Sequence, residues 1–433
     1  EAEKASQPTI FDITVRQRDK EKEAEGAIHD FVRAVCFSGI SLEHADGELG
    51  RVIRQYCPAT KTMPSAKQLR EKHLGEVFRS HKRLLTRKVE KVNISIIVDE
   101  SPDVLGVPTL NTLFCYYDAD RKDKVIHLVD VSHLRACDSL TVGTTLTSVL
   151  TEYGKSWNDV IAVASDSAEY MQKMVREIRE GEAVNTIHVK DLPHLIHVAV
   201  DKTLCCQAVA DVRAAVIKIG ALFKYANHLY QVYIEICAAN GLPHTAILKP
   251  PAVVPVRWYS FYRCLCVVTK MWDCLTELVE REEGSAKVSN LRELLGDRKG
   301  LIYAKAISIE EVLGRLVPIQ EKLESGRILL PEYYHLAHTQ LSVVMESIRE
   351  NASCPLERPQ KTVLSMLPTV YALELKDSMT KFCTALSDKW SSTCARNLRG
   401  LERQQLTQME MWRQAVVLDP FQKNTVSQDF ESY

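Results

Sequence analysis

The 433-residue sequence has no window of about eighteen apolar residues, so no segment reads as a membrane span. It has no excess of charge of either sign. Fifty-five Lys and Arg stand against 56 Asp and Glu, for a net charge of -1. A globally basic coat for a polyanion is excluded, whereas a local basic groove is not. It has no CxxC pair. Its 13 cysteines are odd in number and scattered. The Cys264-x-Cys266 pair and the adjacent Cys205 and Cys206 lack Cys/His partners at zinc-finger spacing. They read as reduced, mostly buried thiols of a cytosolic or nuclear protein. No low-complexity segment and no fixed-period repeat occurs. The opening residues are charged and helix-like and do not read as an apolar leader. The chain starts at Glu1 rather than Met, which fits a fragment or a processed chain.

What is present divides along the chain. The length predicts two or three domains. Within 21–37, Ile28, Phe31, Val32 and Val35 recur at helical spacing; within 46–55, Leu49, Val52 and Ile53 share a face. Ser65, after Pro64, is placed to cap a third helix. The basic run 82–91 (KRLLTRKVEK) reads as a solvated helix face or as a phosphate-contacting one.

From residue 91 the pattern changes. Short β-branched runs at 93–98 (NISIIV), 109–117 (TLNTLFCYY) and 124–131 (KVIHLVDV) predict an antiparallel meander. A helix at 139–153, a strand at 160–164, a helix at 167–181, a strand at 186–189 and a helix from 195 follow. A βαβ portion after a hairpin gives a mixed sheet. Residues 200–433 carry long helical patterns, at 212–226, 261–280, 309–324, 332–350 and 369–392. A proline-rich break at 250–255 separates two of them.

Two acids stand where chemistry is expected. Asp99 is read as ending the first strand (ISIIVDESP), and Asp166 the fourth (VASDSAEYM). In open α/β sheets, the carboxyl ends of strands face the ligand crevice. Paired carboxylates bind Mg²⁺ or Mn²⁺ through oxygen. Two such ions about 4 Å apart support phosphodiester hydrolysis or strand transfer. The alternative is that each Asp caps the segment after it. His188, His194 and His197 cluster after the fifth strand and read as packed histidines, because two further zinc ligands are not at hand. Arg257-Trp258 could hold a phosphate and stack on an unpaired base, or Trp258 could be core.

Taken in order, these motifs resemble the transposases of the hAT superfamily, especially the transposon-derived relatives of CGG-repeat-binding factors. Residues 94–103 (ISIIVDESPD) resemble the first catalytic-Asp strand, and 165–171 (SDSAEYM) the second catalytic-Asp motif. Residues 191–197 (DLPHLIH) stand where the family has C-x-x-H, 255–260 (PVRWYS) resemble T-R-W-x-S, and 418–423 (LDPFQK) resemble L-D-P-R-F-K. The stretch 31–40 also resembles the helical region ahead of the catalytic fold. The resemblance implies α/β plus all-α architecture: an RNase H-like mixed sheet (β-β-β-α-β-α-β) interrupted and followed by a large helical insertion. The expected divisions are an N-terminal helical region at 1–90, a first RNase H-like part at 91–205, the insertion at 206–420, and the start of a C-terminal part at 421–433. It implies Asp99 and Asp166 as catalytic metal ligands for Mg²⁺ or Mn²⁺, and Arg257, Trp258 and His194 as DNA-contacting residues.

Two departures matter. Asp191 stands in place of the C-x-x-H cysteine. The family's third acid, a Glu in an S-E-R-x-F-S-like stretch after L-D-P, is not found before Tyr433, nor is an N-terminal zinc finger. The expectation is a transposon-derived, nuclear DNA-binding protein that no longer cuts DNA. Alternatives are a fragment of an active transposase and a helical protein-interaction scaffold. Homo-oligomerisation is expected if the family's C-terminal dimerisation region exists in the full protein.

Overall fold

The computed structural model describes residues 10–56, 63–166, 168–181, 186–254, 257–282, 284–325, 336, 340–351 and 367–394. Contacts divide the chain into two units. One spans Glu1–Ala164 and Tyr170–His188; the other spans Ser165–Glu169 and Val189–Tyr433. This differs from the division read from sequence: 1–90 falls in the same unit as most of the sheet, and the unit boundary lies at 188/189 rather than 205/206.

The first unit opens with helices α1 (Ile10–Phe37), α2 (Glu48–Tyr56), α3 (Ala66–Gln68) and α4 (Leu74–Val89). Ile28 and Val32 of α1 pack with Ala45, Met63 and Leu69 into a small apolar core. Ser65 caps α3 as expected: its Oγ accepts from the Gln68 N–H, while Gln68 Oε1 accepts from the Ser65 N–H at 3.1 Å.

Five strands follow: β1 (Ile94–Pro102), β2 (Pro108–Asp118), β3 (Asp123–His133), β4 (Val160–Ser165) and β5 (Ile187–Lys190). Their order in the sheet is β3-β2-β1-β4-β5. β1–β2 and β2–β3 are antiparallel and β1–β4 is parallel, so the sheet is mixed, as the sequence pattern predicts. Alternation fixes the faces. Ile94, Ile96 and Val98 of β1 are buried, as are Leu110, Thr112, Phe114 and Tyr116 of β2. The β2–β3 register skips Val129, and its carbonyl instead accepts a hydrogen bond from the Tyr153 hydroxyl at 3.0 Å. Helix α5 (Ser139–Glu152) starts on Asp138, whose carboxylate accepts from the Thr141 N–H at 2.8 Å. Helix α6 (Glu169–Gly181) connects β4 toward β5. Lys155, almost fully buried, donates to the carbonyls of Glu90 and Val92, 3.0 Å each, and ties the end of α4 to the start of β1.

The second unit is helical: α7 (Leu192–Leu204), α8 (Ala210–Leu222), α9 (Asn227–Ala239), α10 (Trp258–Lys270), α11 (Trp272–Arg281), α12 (Ala286–Leu295), α13 (Lys299–Gly314), α14 (Val317–Glu324), α15 (Leu341–Glu350) and α16 (Thr369–Cys394). One continuous apolar core runs from Leu192 to Trp390. Helix α7 packs on α16, α10 and α14. The pattern read as one helix over 261–280 is two, because the backbone turns at Met271 and both Met271 and Trp272 are buried. Gly220 of α8 admits the backbone after Pro250: a Cβ there would lie 2.7 Å from the Pro251 carbonyl oxygen. The pattern at 332–350 is described from 340 on, and the segment 418–423 lies outside the described residues.

Candidate functional site

Asp99 does not end its strand. β1 continues to Pro102, which pairs with Pro108, and Asp99 itself stands opposite Asn111. The extension has a local cause. Asp103 Oδ1 accepts from the N–H groups of Leu105 (2.8 Å) and Val107 (2.9 Å), and Gly106 adopts φ 79°, so a tight turn carries the hairpin three residues past Asp99. Asp99 is exposed, on the face opposite the buried Val98. Glu100, on the buried face, accepts hydrogen bonds from the Tyr170 hydroxyl and from Cys137 Sγ at 3.1 Å. That carboxylate holds the Cys137 thiol above its ordinary pKa.

Asp166 follows β4 directly and is half-buried. Its Oδ1 accepts from the Ala168 N–H at 3.0 Å, closing the turn into α6. That turn lies ahead of α6, whose first residue is Glu169. β1 and β4 run parallel with Ile97 beside Ala164; Asp99 comes two residues after Ile97, and Asp166 two after Ala164. Carboxylate oxygens are the donors that Mg²⁺ and Mn²⁺ prefer. Among the described residues no group of three His, Cys, Asp or Glu is placed to hold a metal ion. Two acids are too few for a two-metal centre.

His194 and His197 lie on α7 with ring centroids 6.2 Å apart. His197 Nδ1 accepts from the backbone N–H of Trp258 at 2.9 Å, which makes Nε2 the protonated nitrogen of the neutral ring. Burial holds the His197 pKa below its ordinary value, assisted by His194 and opposed by Asp201. His194 is half-buried beside it.

Trp258 belongs to the core, at 3% exposure. Its ring packs against Tyr259 and Tyr262, with centroids 5.8 and 6.2 Å away. It offers no open face to a base, which settles the two readings of this residue for the core. Arg257 is exposed and forms the N-cap of α10. Ser260 explains the rest of the motif: its hydroxyl accepts from the Val254 N–H at 2.8 Å and lies within hydrogen-bond reach of the carbonyls of Val254 and Arg257. Sequence reasoning missed Ser260; a serine three residues into a helix after a proline break is the signal that marks such a cap.

The basic run on α4 is largely neutralised inside its own unit. Lys82 pairs with Glu152, Arg83 with Glu76 at 3.0 Å, and Lys88 with Asp118 at 2.8 Å. Of its two readings, the structure favours the solvated face, although Lys88 also anchors the end of β2. An open groove of about 880 Å³ lies between α5 and α6, lined by Thr144, Thr147, Ser148, Trp157, Met174 and Glu177. It holds no cluster of titratable groups and was not foreseen from sequence.

In comparisons with known proteins, no family model matches the chain, and no curated protein matches it.

Proposed function

We propose that this chain is a hAT-transposase-like, transposon-derived DNA-binding protein with a nuclear location. In this reading the sheet is RNase H-like and the helical unit is the insertion. The ancestral reaction is Mg²⁺- or Mn²⁺-dependent DNA cleavage and strand transfer, with Asp99 and Asp166 as its metal-binding acids. The observation that carries the reading is the succession β-β-β-α-β-α-β with Asp99 in β1 and Asp166 directly after β4, strands that are parallel neighbours. Arg257 and His194 remain candidate DNA contacts, whereas Trp258 is withdrawn from that role by its burial.

Residues 1–433 on their own are expected to bind DNA without cutting it, since a third acid matching the family's motif is not found among them. The test incubates the chain with supercoiled DNA and Mn²⁺. Intact DNA is the expected result. Metal-dependent nicking that disappears in Asp99→Asn would overturn the loss of activity while keeping the transposase-like reading. Nicking unaffected by Asp99→Asn and Asp166→Asn would remove both acids from the account.

A further inference from the structure

The helical unit carries a concentration of positive charge that the proposed function does not use. Between residues 212 and 249 the sequence has Arg213, Lys218, Lys224 and Lys249 against a single acid, Glu235, in a chain whose charges otherwise balance. Arg213 is engaged with Asp201 at 3.3 Å. The three lysines are exposed, and Lys287 on α12 joins them. Hydrogen bonds and ring packing bring the four together. Lys287 Nζ donates to the Lys224 carbonyl, and Lys218 Nζ donates to the carbonyl of Asn290, one helical turn from Lys287 on α12. Lys249 Nζ lies 4.4 Å from the centre of the Tyr230 ring, which packs edge-on against Phe223, the neighbour of Lys224. None of the four makes an ion pair among the described residues. The nearby Glu282 is turned to His228, at 3.6 Å.

Beside Lys224 stands Tyr225, 93% exposed, with φ 56°. A left-handed backbone is rare for a bulky residue, and the ring here stands almost wholly in water. Such outliers persist where a surface is used. Lys224 Nζ sits 5.4 Å from the Tyr225 ring, and the ring's high exposure leaves room for a further stacking partner. A flat, exposed aromatic next to lysines that make no ion pair among the described residues matches a flexible polyanion with planar bases. It suits a paired duplex less well, because there the bases are stacked away.

We propose that this corner of the helical unit, at the α8–α9 turn and the face of α12, binds single-stranded DNA, with Lys218, Lys224, Lys249 and Lys287 on its phosphates and a base stacked on Tyr225; the identity of the polymer rests on the DNA-binding function proposed for the chain. The test measures fluorescence anisotropy of labelled oligothymidine and of a short labelled duplex with the 433-residue chain. The variants are Lys224→Glu/Lys249→Glu/Lys287→Glu and Tyr225→Gly, the second of which also relieves the positive φ. Tyr225→Gly is expected to weaken single-strand binding by about tenfold and to leave duplex binding unchanged. The triple variant is expected to flatten the log–log salt slope by about 2, because each phosphate neutralised on a single strand adds roughly 0.7 to that slope. Equal binding by wild type and both variants would overturn this site and leave DNA binding elsewhere intact. Weaker binding by the lysine variant with no effect of Tyr225→Gly would overturn the single-strand assignment. Failure of the wild type to bind either probe at low salt would overturn this inference together with the DNA-binding function.

Discussion

His197 on α7 accepts, through Nδ1, the backbone N–H of Trp258, the first residue of α10, at 2.9 Å. The first N–H groups of a helix have no partner within it, and a histidine from another helix supplies one here. The bond requires the neutral ring, and burial already favours that form.

This coupling fixes a pH dependence. The folded-state pKa of His197 is lowered, so the unfolded chain takes up a proton first as pH falls. Stability contributed by the neutral ring is present above the ordinary value of about 6.5 and is lost as pH falls through the window below it. His197→Asn, whose Oδ1 can still accept from Trp258, is expected to retain the fold and to flatten the fall of the melting temperature below about pH 6.5. His197→Leu leaves the N–H buried without an acceptor and is expected to cost about 1–3 kcal/mol at neutral pH. Thermal melts of the three proteins across pH read both effects. A wild-type curve no steeper than that of His197→Asn would remove the coupling.

Lys305 is a buried cation of the helical unit. Its side chain is 3% exposed, and Nζ lies 3.1 Å from Asp211 Oδ2, 3.1 Å from the Ala208 carbonyl and 3.5 Å from Glu374 Oε1. Lys305→Met keeps the apolar stem but takes the cation from Asp211, while Glu374 keeps Arg298, and is expected to destabilise by about 1–3 kcal/mol. Adding Asp211→Asn should restore part of that stability. Denaturant unfolding of the single and double variants measures it, and an unchanged single variant would show that Asp211 is well solvated.

Asp166 separates a structural role from a chemical one. Asp166→Ala removes the acceptor for the Ala168 N–H and is expected to cost about 1 kcal/mol. Asp166→Asn keeps that acceptor and should be nearly neutral for stability while removing the charge that attracts a cation. If Asp166 binds metal, Mn²⁺ calorimetry will show heat in the wild type that is absent in Asp166→Asn. Equal heats would leave Asp166 its turn alone.

Much of the sheet was legible because its strands are short β-branched runs between turn residues. The runs 93–98, 109–117 and 124–131 each fall within or nearly within a strand of the structure. What escaped was non-local or depended on turn chemistry. The extension of β1 past Asp99 follows from the turn at Asp103 and Gly106. α7 belongs by its packing to the helical body, which no periodicity in 192–204 could announce. The motif around Trp258 was visible, but its burial depends on α7 and the tyrosines around it. Charge counting could not locate free lysines, because pairing of Lys82 and Lys88 depends on residues 70 and 30 positions away.

The central claim is that the chain binds DNA. The most direct measurement titrates residues 1–433 against labelled duplex and single-stranded DNA between about 50 and 200 mM salt. Binding at low salt that weakens linearly in log–log form, and persists in Asp99→Asn/Asp166→Asn, is the predicted result. No binding to either probe at the lowest salt would contradict the account and favour a protein partner for the helical unit.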